Sequence, residues 1–81
     1  MNKIKLIDAK VNTTYTIKDF ELENSDMVLF LNNLGIKKQE KIVLRQSNYG
    51  KKSYLVNVSG VSYGLDERVC KGIIVEWTMS F

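Results

Sequence analysis

The sequence predicts a small, mainly β barrel, and three observations carry that expectation. Only the stretch 24–36 has a helical period. The segments on either side alternate apolar and polar side chains at every second residue, and asparagine and glycine, with no proline anywhere, mark short turns between them. The expected architecture is about five strands in a curled sheet with one short α-helix and one further helical turn, filling residues 1–81 as a single domain.

The opening segment, from Ile4 to Asn12, mixes brief alternation with a turn. Leu6 is expected to lid the core, and Asn12 suits a positive φ because asparagine tolerates the left-handed region. The first strand runs from Thr14 to about Leu22, with Tyr15 and Ile17 in one parity and Phe20 and Leu22 in the other. A change of phase around Lys18-Asp19 predicts a β-bulge, which lets one strand bend and serve two sides of a closed sheet.

In the helix, Met27, Phe30, Leu31 and Leu34 fall at i, i+3, i+4 and i+7, so all four are expected on one stripe facing the core, with the barrel closing around them as around a plug. Ser25 or Asn24 serves as N-cap, and Asp26 adds negative charge at the positive end of the helix dipole. Gly35 can take the left-handed conformation that ends the helix, with Ile36 packing back on Leu31.

Beyond the helix, Lys41 to Gln46 reads as a strand with Ile42 and Leu44 inward. After the turn 47–52, Ser53 to Ser59 returns antiparallel, with Tyr54, Val56 and Val58 on one face and Leu55, Asn57 and Ser59 on the other. Gly60 and Gly64 bracket Val61-Ser62-Tyr63, and Leu65 to Lys71 forms one short helical turn closed by Gly72. Ile73 to Trp77 is apolar enough for a central strand. Short strands, tight turns and one helix describe an SH3-like barrel; an OB-type barrel is the nearest rival and usually needs more chain.

A chain of 81 residues buries only about 60–65% of its unfolded surface, so a partner or a second copy would add stability. Hydrophobic content of 44% with 26% charged residues is globular rather than disordered. No apolar run is long enough to span a bilayer and the N-terminus lacks a signal peptide's apolar core, so a cytoplasmic protein without membrane insertion is expected. The single cysteine, Cys70, forms no intramolecular disulfide.

Histidine is absent, which removes the usual residue of proton transfer near neutrality and the commonest metal ligand. The carboxylates Asp8, Asp19, Glu21, Glu23, Asp26, Asp66, Glu67 and Glu76 show no ligand spacing. Neither a metal site nor a cofactor is expected. Cys70 and the serines have no histidine base to activate them, so the protein is expected not to be an enzyme. Without a GxxxxGK[ST] run, any nucleotide would be bound by a partner.

The net charge of +3 is unevenly spread: Lys37, Lys38, Lys41, Arg45, Lys51 and Lys52 face only Glu40 within 37–52, whereas Asp8, Asp19, Glu21, Glu23 and Asp26 precede them. Lys37, Lys38, Lys41, Tyr49, Lys51 and Lys52 are therefore the candidate partner-binding residues, facing an acidic protein surface, an anionic membrane leaflet or nucleic acid phosphates. The competing reading is a solvated loop face. Nucleic acid is disfavoured because only Tyr49 and Tyr54 could stack on bases from an exposed sheet. Tyr49, Tyr63, Trp77 and Phe81 could line a groove for an extended peptide; alternatively Trp77 caps the barrel end and the tyrosines are half-buried. The tail 78–81 folds back or joins a second copy, which makes a homodimer one expectation.

The pattern Leu6-x5-Asn12-x2-Tyr15-Thr16-Ile17, then Phe30-Leu31-Asn32-Asn33-Leu34-Gly35-Ile36, then Lys41-Ile42-Val43-Leu44, resembles the ferrous iron transport protein A (FeoA) family. Val58-Ser59-Gly60-x4-Leu65 and Ile73-Ile74-Val75-Glu76 are similar to that family's last hairpin and strand. The chain departs from the family in having Asn12 and Gln39 where glycine is usual and no proline around Ser47 to Ser53. The resemblance implies a cytosolic SH3-like adaptor of ferrous iron uptake that binds and modulates FeoB, a large membrane GTPase transporter. The same barrel is similar to the C-terminal domain of iron-dependent repressors, which implies as an alternative a free-standing regulatory module. A small nucleic-acid-binding barrel is the third reading.

Overall fold

The computed structural model of the chain describes residues 3–48 and 50–77. In chain order the elements are β1 (Lys3–Lys5), a 3₁₀ turn (Leu6–Asp8), β2 (Thr14–Phe20), α1 (Ser25–Asn33), β3 (Lys41–Asn48), β4 (Ser53–Val58), β5 (Val61–Asp66), α2 (Glu67–Lys71) and β6 (Ile73–Trp77). The strands form one antiparallel sheet, β1-β6-β2-β3-β4-β5, of the SH3-like kind. Two strands go beyond the sequence expectation. β1 is only three residues long, pairing Lys3 to Lys5 with Glu76 to Ile74, too short for alternation to show. β5 runs straight through Gly64, which lies opposite Leu55 in open space.

The bend in the first strand lies where the change of phase predicts it. β2 pairs Ile17 with Val75 and then Asp19 with Ile74, leaving Lys18 as the extra residue. At the bend Ile17 turns to a different neighbour: its N–H donates to the Glu40 carbonyl at 2.9 Å, and its carbonyl accepts from the Gln39 N–H at 2.8 Å. One strand thus serves β6 along its length and β3 with its preceding turn along its start. A second bulge, at Arg45 between the pairs Leu44–Val56 and Gln46–Leu55, bends the β3–β4 hairpin as well.

The inward parity is as expected: Tyr15, Ile17, Ile42, Leu44, Tyr54, Val56, Val58, Ile73 and Val75 are buried. Leu6 closes over them. The Tyr15 hydroxyl accepts the Lys10 backbone N–H at 2.9 Å, so its polar tip is satisfied inside the barrel. Asn12 has φ 64° and its N–H donates to the Leu44 carbonyl, fixing the approach to β2.

The helix corrects the expectation of a four-residue core stripe. Leu31 is buried and Met27 half-buried, but Phe30 is 57% and Leu34 37% exposed. Half-buried Val28 lies on the side of Leu31 away from Phe30, so the helix is rolled toward Val28 and its plug is essentially Leu31. The physical reason lies at the C-terminus. Gly35, at φ 97°, donates to Asn32 O at 3.0 Å, and the Ile36 N–H reaches back to Leu31 O at 2.9 Å, the paired bonds of a Schellman ending. That ending brings Ile36, wholly buried, alongside Leu31 and makes Leu31 the inward centre of the helix. At the other end Asn24, one of the two expected caps, accepts the Asp26 N–H at 2.8 Å.

α2 does more of the closing. It packs on the 3₁₀ turn and on β4, β5 and β6, buries Val69 and Cys70, and is capped by Asp66, which accepts the Val69 N–H at 2.9 Å. Gly72 closes α2 in an ordinary conformation, φ −99°, rather than a left-handed one. Its glycine is needed for room. The Gly72 carbonyl accepts the Glu21 N–H at 2.7 Å, and a Cβ there would collide with the Leu22 side chain and sit 3.1 Å from the Glu21 carbonyl oxygen.

Candidate partner-binding surface

The basic residues singled out by the sequence occupy two places. Lys37 and Lys38 lie in the turn that leaves α1, and Lys41 opens β3. Lys51 and Lys52 lie in the turn at the far end of the β3–β4 hairpin, with the Lys51 N–H donating to Asn48 Oδ1 at 3.1 Å and Lys52 at φ 53°. The strand between, Lys41 to Asn48, is on the order of 25 Å long, so one compact partner patch would contact one group or the other. Tyr49, proposed beside them, and the tail 78–81 lie outside the described residues.

Around the first group the charges are partly engaged. Lys38 Nζ is 3.5 Å from Asp19 Oδ1, and both side chains are well exposed. The Asp19 carboxyl is held below its ordinary pKa, first by the Phe20 N–H it accepts and then by Lys38. Lys18 Nζ donates to Gln39 Oε1 at 3.3 Å, and Lys41 Nζ donates to Thr16 Oγ1 at 3.0 Å. The Glu40 carboxylate accepts from the Ser59 hydroxyl at 3.1 Å, tying this turn to the β4–β5 turn. Four lysines stand against two carboxylates here, so the net sign is positive.

The residues that sequence reasoning missed are apolar. Leu29 is 59% exposed, Val61 50%, and Phe30 and Leu34 share one side of α1 at i and i+4. Tyr63, half-buried, donates its hydroxyl to the Leu34 carbonyl at 2.6 Å, fastening β5 against the end of α1. Val61, two residues away on the same face of β5, continues the patch toward the turn 37–40. A signal for it was in the sequence: Met27-Val28-Leu29-Phe30-Leu31 is apolar all round, more than one buried stripe requires.

The other candidates resolve more simply. Tyr54 is buried, which corrects the expectation that it might stack on bases. Trp77 has its ring 6.0 Å from that of Tyr15 and tilted 44°, 43% exposed, as a lid on the barrel end. Cys70 is fully enclosed, and burial, reinforced by the charge of Asp66, pushes its thiol up to about 12, which leaves no thiolate nucleophile at neutral pH. A cleft of about 470 Å³ between the β2–α1 loop and α2 has a floor of Leu22, Met27 and Val69 and a rim of Glu21, Glu23, Asp66 and Arg68. Among the described residues no three Cys, Asp or Glu side chains converge on a point where a metal ion could be held. No helix among them is long and apolar enough to cross a membrane.

A bent antiparallel sheet, a Schellman-ended α1 and a short α2 closing the barrel define a small SH3-like domain of the kind found both alone and inside metal-responsive repressors. The chain belongs to the FeoA domain family, whose model matches residues 4–76. Among solved structures, an iron uptake regulatory protein (FeoA) is similar over 94% of this chain and 97% of its own, with 12% identity and a TM-score of 0.79. A FeoA-like protein from Clostridium acetobutylicum is similar over 100% of this chain and 93% of its own, with 16% identity and a TM-score of 0.81. A manganese-dependent transcriptional repressor is similar over 94% of this chain, with 13% identity and a TM-score of 0.86; the chain spans only 42% of that repressor's length. At these identities the likeness is one of fold. No curated protein sequence matches the chain.

Proposed function

We propose that this protein is a cytoplasmic, non-enzymatic accessory of ferrous iron uptake, which binds the FeoB membrane GTPase transporter and modulates it. The observation that carries this reading is the family match, which runs over residues 4–76, nearly the whole described chain. Supporting it, lysines and apolar side chains stand exposed around the end of α1 and the start of β5, where a protein partner can reach them. The test is titration of the purified protein into the transporter's cytosolic GTP-binding domain at low salt, with a non-hydrolysable GTP analogue present. Saturable binding and an altered GTP turnover rate are expected; no heat and no change in turnover would refute it.

A second reading, a free-standing regulatory module, is favoured by one comparison: the TM-score to the manganese-dependent repressor, 0.86, exceeds those to the two FeoA proteins, 0.79 and 0.81. It predicts binding to a DNA-binding protein and none to the transporter.

A further inference from the structure

We infer that the outer side of α1 and the start of β5, formed by Phe30, Leu34, Val61 and Tyr63 with Lys37 at the rim, is a docking surface for an acidic amphipathic segment of a partner protein. Phe30 and Leu34 present their side chains one turn apart, and the 2.6 Å bond from Tyr63 to the Leu34 carbonyl holds β5 against them. The Ser59–Glu40 bond brings the rim turn 37–40 to the same end of the sheet as Val61. The two bonds gather these side chains on one side of the molecule, an apolar centre with a polar border, the usual anatomy of a contact surface.

The occupant follows from charge. Lys18, Lys37, Lys38 and Lys41 outnumber Asp19, Glu40 and Asp26, the last one turn before Phe30 on α1, so a partner bearing carboxylates around an apolar stripe is complementary at the lysine end of the patch. A membrane surface fits less well, because helices that lie on bilayers carry lysine or arginine along their polar face, and α1, Ser-Asp-Met-Val-Leu-Phe-Leu-Asn-Asn, carries none.

The inference deepens the adaptor reading by giving it a contact surface, and its first test uses no part of the transporter. The probe is a synthetic helical peptide with leucine at i, i+3, i+4 and i+7 and glutamate elsewhere, titrated against the ¹⁵N-labelled protein. Amide shifts are expected at Phe30, Leu34, Lys37, Val61 and Tyr63 and not at Lys51 or Lys52. Phe30→Glu should weaken the affinity by about tenfold or more, as loss of a central apolar anchor does. Lys37→Glu should weaken it by about threefold at low salt and have little effect at high salt, whereas Lys51→Glu should change nothing. Retained dispersion of the amide spectrum certifies each variant's fold. Absent or scattered shifts overturn the inference, as do tighter binding to anionic phosphatidylserine vesicles or self-association abolished by Phe30→Glu. Failure of the transporter's GTP-binding domain to bind the unaltered protein, with the peptide shifts present, overturns the adaptor reading alone; binding of that domain that Phe30→Glu leaves unchanged overturns this surface alone.

Discussion

Replacing Gly72 with alanine isolates a single steric contact. Its φ of −99° is accessible to any residue, so no backbone strain enters. Loss of glycine's freedom in the unfolded chain would by itself stabilise the variant by about 0.4–1 kcal/mol. Against this, the new methyl group collides with the Leu22 side chain and lies 3.1 Å from the Glu21 carbonyl oxygen, whose own N–H holds the Gly72 carbonyl at 2.7 Å. Leu22 can swing away only by leaving its half-buried seat, and the β2–α1 loop resists displacement through that hydrogen bond. Overpacking of this kind costs about 1–3 kcal/mol, so Gly72→Ala should be destabilised by a net ~1–2 kcal/mol. In a domain of this size that lowers the melting midpoint by about 4–8 °C per kcal/mol. Urea unfolding followed by circular dichroism measures it, with an unchanged m-value showing that the unfolded state is not the cause. If the collision is responsible, Leu22→Ala in the same chain should recover about 1 kcal/mol relative to the sum of the single changes. Strict additivity, or a neutral Gly72→Ala, would refute the steric account.

Three further outcomes follow from the same structure. Leu31→Ala should lose about 2–4 kcal/mol as a buried deletion, whereas Phe30→Ala on the same helix should stay within about 0.5 kcal/mol, and chemical denaturation of the pair tests the roll of α1. Gln39 sits at φ 76°, where glycine is strain-free, so Gln39→Gly should raise the stability by roughly 0.5 kcal/mol, the relief of left-handed strain exceeding glycine's unfolded entropy and the loss of the exposed Lys18 contact. Cys70 has its thiol raised from 9.0 to about 12, so below pH 9 it is protonated in both states and its contribution is complete. Between pH 9 and 12 only the unfolded chain ionises, and stability should fall by up to about 1.4 kcal/mol per pH unit, a slope missing in Cys70→Ala and readable by denaturation at pH 8.5 and 10. A native-state thiol that reacts with an aromatic disulfide as fast as free cysteine would contradict this burial.

Features set by local chemistry were legible in the sequence. The bulge at Lys18, the positive φ of Asn12 and the Gly35-Ile36 ending are each decided within a few residues, by alternation, by tolerance of the left-handed region and by the absence of a Cβ. What failed depended on distant partners. Periodicity located an apolar side of α1, but the sheet beneath offers a seat only for Leu31 and its flanks, and the roll is fixed by where Ile36 is buried. β1 exists because β6 has a free edge, and the bulge at Arg45 leaves the flanking alternation looking regular. The candidate surface was half legible: charge pointed to Lys37, Lys38 and Lys41, but strand length, invisible in composition, separates them from Lys51 and Lys52. Period alone puts Phe30 and Leu34 in the interior, since a helical stripe does not announce which part of it stays outside.

Among the described residues the sheet leaves two borders open, β1 and β5. On β1 the outermost three residues are Lys-Ile-Lys, both lysines exposed, a charge pattern that repels a foreign strand before its hydrogen bonds can form. β5, Val-Ser-Tyr-Gly-Leu-Asp, carries no cation and only a terminal acid. With only one permissive border, templated pairing in concentrated or partly unfolded samples can join β5 to the β5 of one other molecule and stops there, because both outer borders of such a pair are lysine-bearing β1 strands.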